Sequence, residues 1–154
     1  MPIRPADAAD LPAVERIVRD AYTKYIERIG KPPGPMLDDY RAQIRAHAAW
    51  VLEDDGGVAG VIVLLPESDH LLLDNVAVDP ARHGRGLGRV LMDFAEQEAR
   101  RRGYEELRLY THAKMSENIA MYPRLGWQET GRGEQAGYDR VFYRKRITGT
   151  ASTN

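Results

Sequence analysis

The stretch that decides the fold is PARHGRGLGRVLM, residues 80–92, in which Gly84, Gly86 and Gly88 occupy alternate positions. It follows an apolar run typical of a β-strand and leads into apolar residues at helical spacing from Leu87. The first N–H groups of a helix have no intrahelical acceptor, and glycines let a ligand approach the backbone closely. The stretch therefore predicts an anion site, and a pyrophosphate is its natural ligand.

Arginines around the glycines add formal positive charge to this site, at positions 82, 85 and 89. The residues do not match Gly-x-x-x-x-Gly-Lys-Ser/Thr, the pattern of a P-loop, and the third glycine of the dinucleotide fingerprint is missing. The stretch also lies after three antiparallel-type strands, whereas the dinucleotide fingerprint belongs to a first βα turn. The alternative interpretation is a tight turn with a solvated basic rim.

The pattern outside this stretch predicts a mixed α/β (α+β) domain. A helix follows Asp7 or Asp10 and is stopped by Gly30, an irregular proline-rich segment covers 31–35, and a second helix starts near Asp38. The near-continuous apolar run 71–78 predicts a strand that is buried on both faces. Strands are predicted at 1–4, 49–53, 58–65, 70–78, 106–111, 127–130 and 138–146, and later helices at 87–102 and 116–125.

Length and composition indicate one globular domain over residues 1–147, followed by a small, polar and flexible tail over 148–154. The chain has no cysteine, which excludes disulfides, thiolate metal sites and a cysteine nucleophile. No metal site is predicted. The formal net charge of -1 argues against a nucleic-acid partner in spite of the local arginines. No apolar run approaches the length of about 18 residues that a membrane span requires, and no signal peptide is visible. We therefore expect a cytoplasmic protein with no membrane partner.

Two motifs carry a resemblance to a known family. The first is Asn-Val-Ala-Val-Asp-Pro, residues 75–80, followed by the glycine stretch. The second is Asn118-Ile119-Ala120-Met121-Tyr122-Pro123-Arg124-Leu125-Gly126-Trp127. Together they resemble the GNAT superfamily of N-acetyltransferases. The order of predicted elements is similar over about 145 residues of the chain. His83 stands where the family usually carries Gln or Arg, but in that family most pyrophosphate contacts come from backbone N–H groups.

The resemblance implies the GNAT fold, with a mostly antiparallel central sheet of about six or seven strands, about four helices and a splay between the fourth and fifth strands. It implies acetyl-CoA as cosubstrate and direct attack by an amine in a ternary complex. Pantetheine pairs with the fourth strand, and a backbone N–H near Ala77 or Val78 polarises the carbonyl. The residues that the resemblance assigns to acetyl-CoA are Val76, Ala77, Val78, His83, Gly84, Arg85, Gly86, Leu87, Gly88, Arg89, Asn118 and Tyr122.

Tyr122 is the expected acid for the departing thiolate, because a phenol with a pKa near 10 suits a thiolate of comparable basicity. Asn118 lies four residues earlier on the same helix face and either binds the pantetheine arm or orders the turn. The base is open between Asp74 in the fourth strand, His112, and a water ordered by Asp74. At Tyr110, where many relatives have glutamate, this chain has a tyrosine.

The expected acceptor is a primary amine of a small molecule or a peptide, and the sequence does not identify it further. A non-catalytic module that senses acyl-CoA is the alternative, because Tyr110 replaces the glutamate of many relatives. Dimers are common in the family, so the resemblance is compatible with a homodimer.

Overall fold

The computed structural model of the chain describes residues 2–147. These residues form two compact units. The first unit contains the residues up to Leu65 together with Asp74–Ala95, and the second contains Pro66–Leu73 and the residues from Glu96 onward. The predicted flexible tail over 148–154 lies outside the described residues, and a single domain over 1–147 stays a prediction.

The first unit is built from helices and an antiparallel meander. Strand β2 pairs with β1 through Arg4 and Val51, and with β3 through Val51 and Val61. The unit contains β1 (Ile3–Pro5), α1 (Leu11–Ile29), α2 (Tyr40–Arg45), β2 (Ala49–Asp54), nearly all of β3 (Gly57–Pro66), the last part of β4 (Leu71–Val78) and the first part of α3 (Leu87–Arg101).

The second unit contains the remaining parts of these shared elements and everything that follows. Its further elements are β5 (Glu106–His112), α4 (Ser116–Arg124), β6 (Gln128–Gln135) and β7 (Tyr138–Arg146). Strand β5 pairs in parallel with β4 at Leu71–Leu107 and Leu72–Arg108, and antiparallel with β7 along its whole length. Both parallel pairs lie within the second unit, and the splay between the fourth and fifth strands stays a prediction.

Hydrogen bonding orders the strands β1-β2-β3-β4-β5-β7-β6 in a seven-stranded sheet. The single parallel pair, β4 and β5, and the four α-helices confirm the predicted α+β class and element order. Among the described residues, no helix is both long enough and apolar enough to cross a membrane.

The ends of α1 follow from its sequence. Asp7 accepts the N–H of Ala9 and caps a 3-10 turn that leads into the helix, and Pro12 lies in the first turn, where its missing N–H costs nothing. Gly30 ends the helix with φ of 91°, a left-handed conformation that favours glycine. Both boundaries agree with the sequence prediction.

Three local predictions were wrong. Strand β4 is not buried on both faces, because its residues alternate between buried and half-buried along the whole strand. Residues 34–37 form a 3-10 turn inside the segment expected to be irregular. Strand β6 extends to Gln135, beyond the predicted end at Thr130, because pairing with β7 continues past a bulge between Glu129 and Gly131.

The core of the first unit forms where α1 and α2 pack against the meander. Its fully enclosed side chains are aliphatic, with Val14 and Ile17 from α1 and Val51, Val61 and Val63 from the strands all at 0% exposure. These side chains come from helical positions three residues apart and from alternate strand positions, as the two periodicities require. Ala77 of β4 belongs to this core, which holds the strand against the unit.

Asp10 gives this unit a pH-dependent ion pair. Arg4 donates to its carboxylate from Nη1 at 2.7 Å and from Nη2 at 2.9 Å, and the N–H of Asp7 donates at 2.8 Å. The Arg4 hydrogen bonds hold the pKa of Asp10 below its ordinary value of 3.8, although burial opposes them. A depressed pKa adds stability above the unfolded pKa, and this stability is lost as pH falls through the folded pKa.

We expect Asp10→Asn to lower the free energy of unfolding by about 2 kcal/mol at pH 7, the range for hydrogen bonds to a charged group. The deficit should shrink as pH falls below the ordinary carboxyl pKa, because the unfolded carboxylate then takes up a proton and the folded one follows as pH falls through its own lower pKa. Urea titrations at pH 7 and pH 3 measure the difference in the free energy of unfolding between wild type and variant. The exposed Asp93→Asn is the control, and a deficit that stays constant with pH contradicts the prediction.

Candidate active site

The glycine loop, residues 83–89, begins after a 3-10 turn over Pro80–Arg82 and runs into α3. Gly84 and Gly86 have φ of 82° and 73°, the left-handed region that side chains resist. Apart from its two chain neighbours, no atom of the described residues lies within 4 Å of the position that a Cβ would take at either glycine. Leu87 is 2% exposed and anchors the far end of the loop in the first unit.

The main-chain N–H groups of this loop are open donors. None of the described residues accepts a hydrogen bond from the N–H groups of Gly84 through Arg89, and the first bond into the helix runs from Val90 N–H to Gly86 C=O. These donors stand at the positive end of the fifteen-residue helix α3. The backbone therefore fits a diphosphate, which offers several acceptor oxygens and negative charge.

The side chains of the loop point to different roles. Arg85 is 58% exposed and its Nη1 lies 3.4 Å from Asp54 Oδ2. Arg89 is exposed, and no ion pair of it is found within residues 2–147. His83 is also exposed, and its backbone N–H donates to Pro80 C=O at 3.3 Å. Two cations and one imidazole thus remain accessible beside the open amides.

Arg82 differs from the other two arginines. Its Nε lies 2.7 Å from Asp54 Oδ2 and its Nη1 lies 2.9 Å from Asp79 Oδ2. Sequence reasoning counted Arg82 among the cations of the anion site, and the structure pairs its guanidinium with these two carboxylates. Arg82 and Arg85 line a cavity of about 730 Å³ beside the β2–β3 turn.

Asp79 is an ionised carboxylate inside this cluster. Burial raises its pKa, but the N–H of Ala81 and the charges of Arg16 and Arg82 lower it further, so its pKa lies below the ordinary 3.8. Its side chain is 9% exposed and accepts from Arg16 Nη1 at 3.2 Å. The residue before the glycine stretch is therefore negative at neutral pH.

Strand β4 presents one half-exposed face, formed by Leu72, Asp74, Val76 and Val78, while Ala77 is 4% exposed. Asp79 N–H donates to Ala59 C=O on β3 at 2.9 Å. Polar main-chain groups alternate in direction along a strand, so those of Ala77 face β3 and those of Val78 face away from it. Between the two expected donors, the geometry favours the N–H of Val78 for a ligand.

Asn75 fixes the buried side of β4. Tyr22 donates its hydroxyl to Asn75 Oδ1 at 2.6 Å, and Asn75 Nδ2 donates to Tyr40 Oη at 2.9 Å. The Tyr40 hydroxyl in turn donates to Pro35 C=O. Burial, with the nearby charges of Asp38 and Asp74, raises the pKa of Tyr40 far above its ordinary value of 10.0. These hydrogen bonds connect α1, the proline-rich segment and α2 to β4.

Asp74 lies on the half-exposed face of β4 opposite α2. Gln43 Nε2 lies 3.5 Å from Asp74 Oδ2, a long hydrogen bond to a carboxylate. The other amide atom, Gln43 Oε1, is buried and has no hydrogen-bond partner among the described residues. Buried acceptors are normally satisfied, so this position favours a molecule with N–H or O–H donors next to Asp74.

Tyr122 lies in α4 of the second unit and is 5% exposed. Its ring centre lies 6.1 Å from that of Trp127 and 5.5 Å from that of Tyr143. The hydroxyl of Tyr143 is buried without a hydrogen-bond partner among the described residues, and burial raises its pKa. The rings of Trp127 and Tyr143 hold the Tyr122 ring in one orientation.

Asn118 shares the face of α4 with Tyr122, as their spacing requires. Its Nδ2 donates to Thr111 Oγ1 at 3.1 Å and lies 3.6 Å from Met115 Sδ. These contacts favour the second of the two roles considered for it, ordering the turn between β5 and α4.

His112 and Tyr110 stand near the end of β5. His112 Nδ1 accepts the N–H of Lys114 at 3.0 Å, and its ring lies edge-on to Tyr138. Arg140 covers the ring of Tyr110 at 4.0 Å. Tyr110, which replaces the glutamate of many relatives, is thus part of a cation–aromatic cluster.

The structure brings the candidates together in two groups. The first unit places the glycine loop, Asp74 and the end of β4 together, with Val78 Cγ2 4.0 Å from the Cβ position of Gly88. The second unit places Asn118 and Tyr122 together. Sequence reasoning missed Asp54 and the role of Asp79. The spacing of Asp79 and Arg82 by three residues was the one available signal. Within residues 2–147, no cluster of three His, Asp or Glu side chains is arranged to hold a metal ion.

Comparison with known proteins connects this geometry to a family. Residues 11–127 match the family model described as Acetyltransferase (GNAT) family. The chain is 34% identical over 128 residues to the uncharacterized N-acetyltransferase YjgM of Escherichia coli, covering 77% of each chain. It is also 32% identical over 104 residues to N-acetyltransferase family 8 member 3 of Rattus norvegicus, covering 62% of this chain and 46% of that one.

The fold is also found in solved structures. The structure of yncA from Salmonella typhimurium, with its cofactor acetyl-CoA, superimposes with a TM-score of 0.72 at 24% identity. The match covers 100% of this chain and 98% of that one. The family match over most of the chain and the shared fold lead to one conclusion: the chain belongs to the acetyltransferase (GNAT) family, whose members are acetyl-CoA-dependent N-acetyltransferases.

Proposed function

We propose that this chain transfers the acetyl group of acetyl-CoA to a primary amine of a small molecule or peptide, by direct attack in a ternary complex. The observation that carries the proposal is the row of open N–H groups from Gly84 to Arg89 at the start of α3. Such a row binds the pyrophosphate of acetyl-CoA, and Arg85 and Arg89 add positive charge. Family membership supplies the reaction class.

The glycine loop holds the pyrophosphate, and the edge of β4 at Val76–Val78 holds the pantetheine arm. The amine nitrogen forms a bond to the acetyl carbon as the carbon–sulfur bond breaks. The N–H of Val78 stabilises negative charge on the carbonyl oxygen. Asp74, directly or through a water, takes a proton from the amine, and Tyr122 gives its hydroxyl proton to the departing thiolate.

Asp74 is favoured as the base over His112 by two contacts. Asp74 lies on the accessible face of β4, next to the unsatisfied Oε1 of Gln43. His112 already uses Nδ1 to accept the N–H of Lys114. An amine bound beside Asp74 also supplies N–H donors for Gln43, so the same position binds the acceptor and removes its proton.

The experiment that tests the function has two parts. Calorimetry with CoA measures binding to the glycine loop, and a panel of amines and peptides with a thiol-release assay measures turnover. We expect micromolar binding and thiol release with at least one amine. No CoA binding contradicts the whole proposal, whereas CoA binding without turnover on any amine indicates the sensor module.

We expect Asp74→Asn to lower kcat by roughly a hundredfold, the lower end of the range for general-base catalysis. The KM for acetyl-CoA should stay within about twofold, because the carboxylate is not assigned to the cosubstrate. Steady-state kinetics on the identified acceptor measure both constants, with Asp93→Asn as the control. A hundredfold loss in His112→Gln together with normal kcat in Asp74→Asn assigns the base to His112 instead.

A further inference from the structure

Arg82 is the most strongly fixed side chain next to the glycine loop. It is 15% exposed, and it contacts Asp54 on β2, Asp79 at the end of β4 and the C=O of Val58 on β3 at 3.1 Å. All of these partners belong to the first unit. One guanidinium therefore connects the β2–β3 turn to the start of the loop.

The partners of Arg82 are held independently. Asp54 is 6% exposed at its side chain and accepts the N–H of Gly56 at 2.8 Å. Asp79 accepts the N–H of Ala81 at 3.0 Å and is paired with Arg16. Two buried carboxylates thus present oxygen atoms to two different nitrogens of Arg82 in fixed positions.

Gly56 makes room for this guanidinium. A Cβ at Gly56 would lie 2.6 Å from Arg82 Nη2, closer than real Cβ contacts occur. The glycine of the Asp-Asp-Gly-Gly turn therefore also serves as the surface on which Arg82 lies.

The charges around Arg82 disfavour it as a phosphate ligand. Arg82 already faces the carboxylates of Asp54 and Asp79, and a phosphate at the same guanidinium would meet both of these negative charges. Arg85 and Arg89 are exposed and have no such pair of carboxylates. Attraction of the pyrophosphate therefore belongs to those two arginines and to the backbone.

We propose that Arg82 is a positioning residue that holds the glycine loop in the conformation that binds acetyl-CoA, through its contacts with Asp54 and Asp79. The inference rests on the proposed function of the loop as a pyrophosphate site. The loop is then fixed at two points, by Arg82 directly before it and by the buried Leu87 within it. Its amides are ordered before the ligand arrives, which lowers the entropic cost of binding.

Asp79→Asn tests the proposal by the sign of its effect. Asparagine can still accept the N–H of Ala81 as a cap, but it removes the negative charge that faces Arg82 and Arg16. A positioning role predicts that CoA binds roughly tenfold more weakly, about 1.4 kcal/mol, because the loop start is loosened. A phosphate-ligand role predicts tighter binding, because a carboxylate no longer competes for Arg82. Calorimetry with CoA distinguishes the two.

Arg82→Lys and Arg82→Gln provide a second measurement. Lysine keeps the charge but cannot contact both carboxylates and Val58 as a planar guanidinium does. Positioning predicts that both variants raise the KM for acetyl-CoA roughly tenfold, with kcat at saturation within about twofold. If lysine restores wild-type KM while glutamine does not, charge alone matters and the proposal fails. The exposed Arg100→Gln is the control.

The double variant Asp79→Asn/Arg82→Gln completes the test. Substitutions of two residues that act through one contact do not have additive effects. The affinity of the double variant for CoA should therefore lie within about twofold of that of the single variant with the lower affinity. Thermal melts verify folding, and Asp79→Asn carries the test if an Arg82 variant does not fold. Wild-type protein that fails to bind CoA overturns the proposed function. Wild-type binding with Arg82 and Asp79 variants that bind equally well or better overturns this inference alone.

Discussion

Tyr122→Phe is expected to lower kcat by roughly a hundredfold, the scale of general-acid catalysis, while CoA affinity stays within about twofold. The hydroxyl proton is lost, but the ring that packs against Trp127 and Tyr143 is kept. Phenylalanine fills the same buried position as the Tyr122 ring, and thermal melts verify that the variant folds. Pre-steady-state thiol release together with calorimetry separates the chemical step from binding.

Tyr143→Phe is the matched control for this variant. It removes a buried tyrosine hydroxyl from the same aromatic cluster, and that hydroxyl has no hydrogen-bond partner among the described residues. We expect normal kcat and unchanged or slightly higher stability, because no satisfied hydrogen bond is lost. If kcat of Tyr122→Phe stays at the wild-type value across the pH range, Tyr122 is not the acid.

The sequence predicted the parts of the fold that depend on local chemistry. The glycines that adopt positive φ, the proline in the first turn of α1 and the apolar periodicity of α1 and α3 each have a local physical cause. The order of elements followed from those signals. The candidate loop could also be predicted from the sequence, because three glycines between a strand and a helix have few structural alternatives.

Contacts between distant residues were not predictable from the sequence. The pairing of Arg82 with Asp54 joins residues 28 positions apart, and it depends on the β2–β3 turn folding against the loop. The prediction that β4 is buried on both faces was wrong for a similar reason. A strand of apolar residues shows its period only when its neighbours cover one face more than the other, as they do for Ala77 and Val78.

Strand β6 shows the limit of intrinsic propensity. Its sequence, QETGRGEQ, is rich in residues that disfavour strands, and seven of its eight positions are exposed. It is a strand because β7 pairs with it on both sides of the bulge after Glu129. Tertiary pairing therefore decides its length, and no pattern within residues 128–135 indicates it.

The second large effect is expected for Gly86→Val, which should weaken CoA binding by roughly a hundredfold, about 3 kcal/mol. Gly86 has φ of 73°, and a β-branched residue is a severe outlier in this region. The left-handed conformation alone costs an L-residue about 1–2 kcal/mol. The remainder comes from hydrogen bonds to the pyrophosphate that are lost when the loop relaxes or the side chain blocks the approach.

Gly30→Val separates strain from binding. Gly30 has φ of 91° with no atom within 4 Å of its Cβ position, so it matches Gly86 in backbone conformation and open space but lies at the end of α1. Both variants should lose stability in thermal melts, and only Gly86→Val should lose CoA affinity in calorimetry. Since Gly86 faces open space, no clash within the protein can account for a loss of affinity at that position. Equal affinity in both variants would mean that the open amides of the loop do not bind the cosubstrate, and the pyrophosphate site would then have to be sought elsewhere.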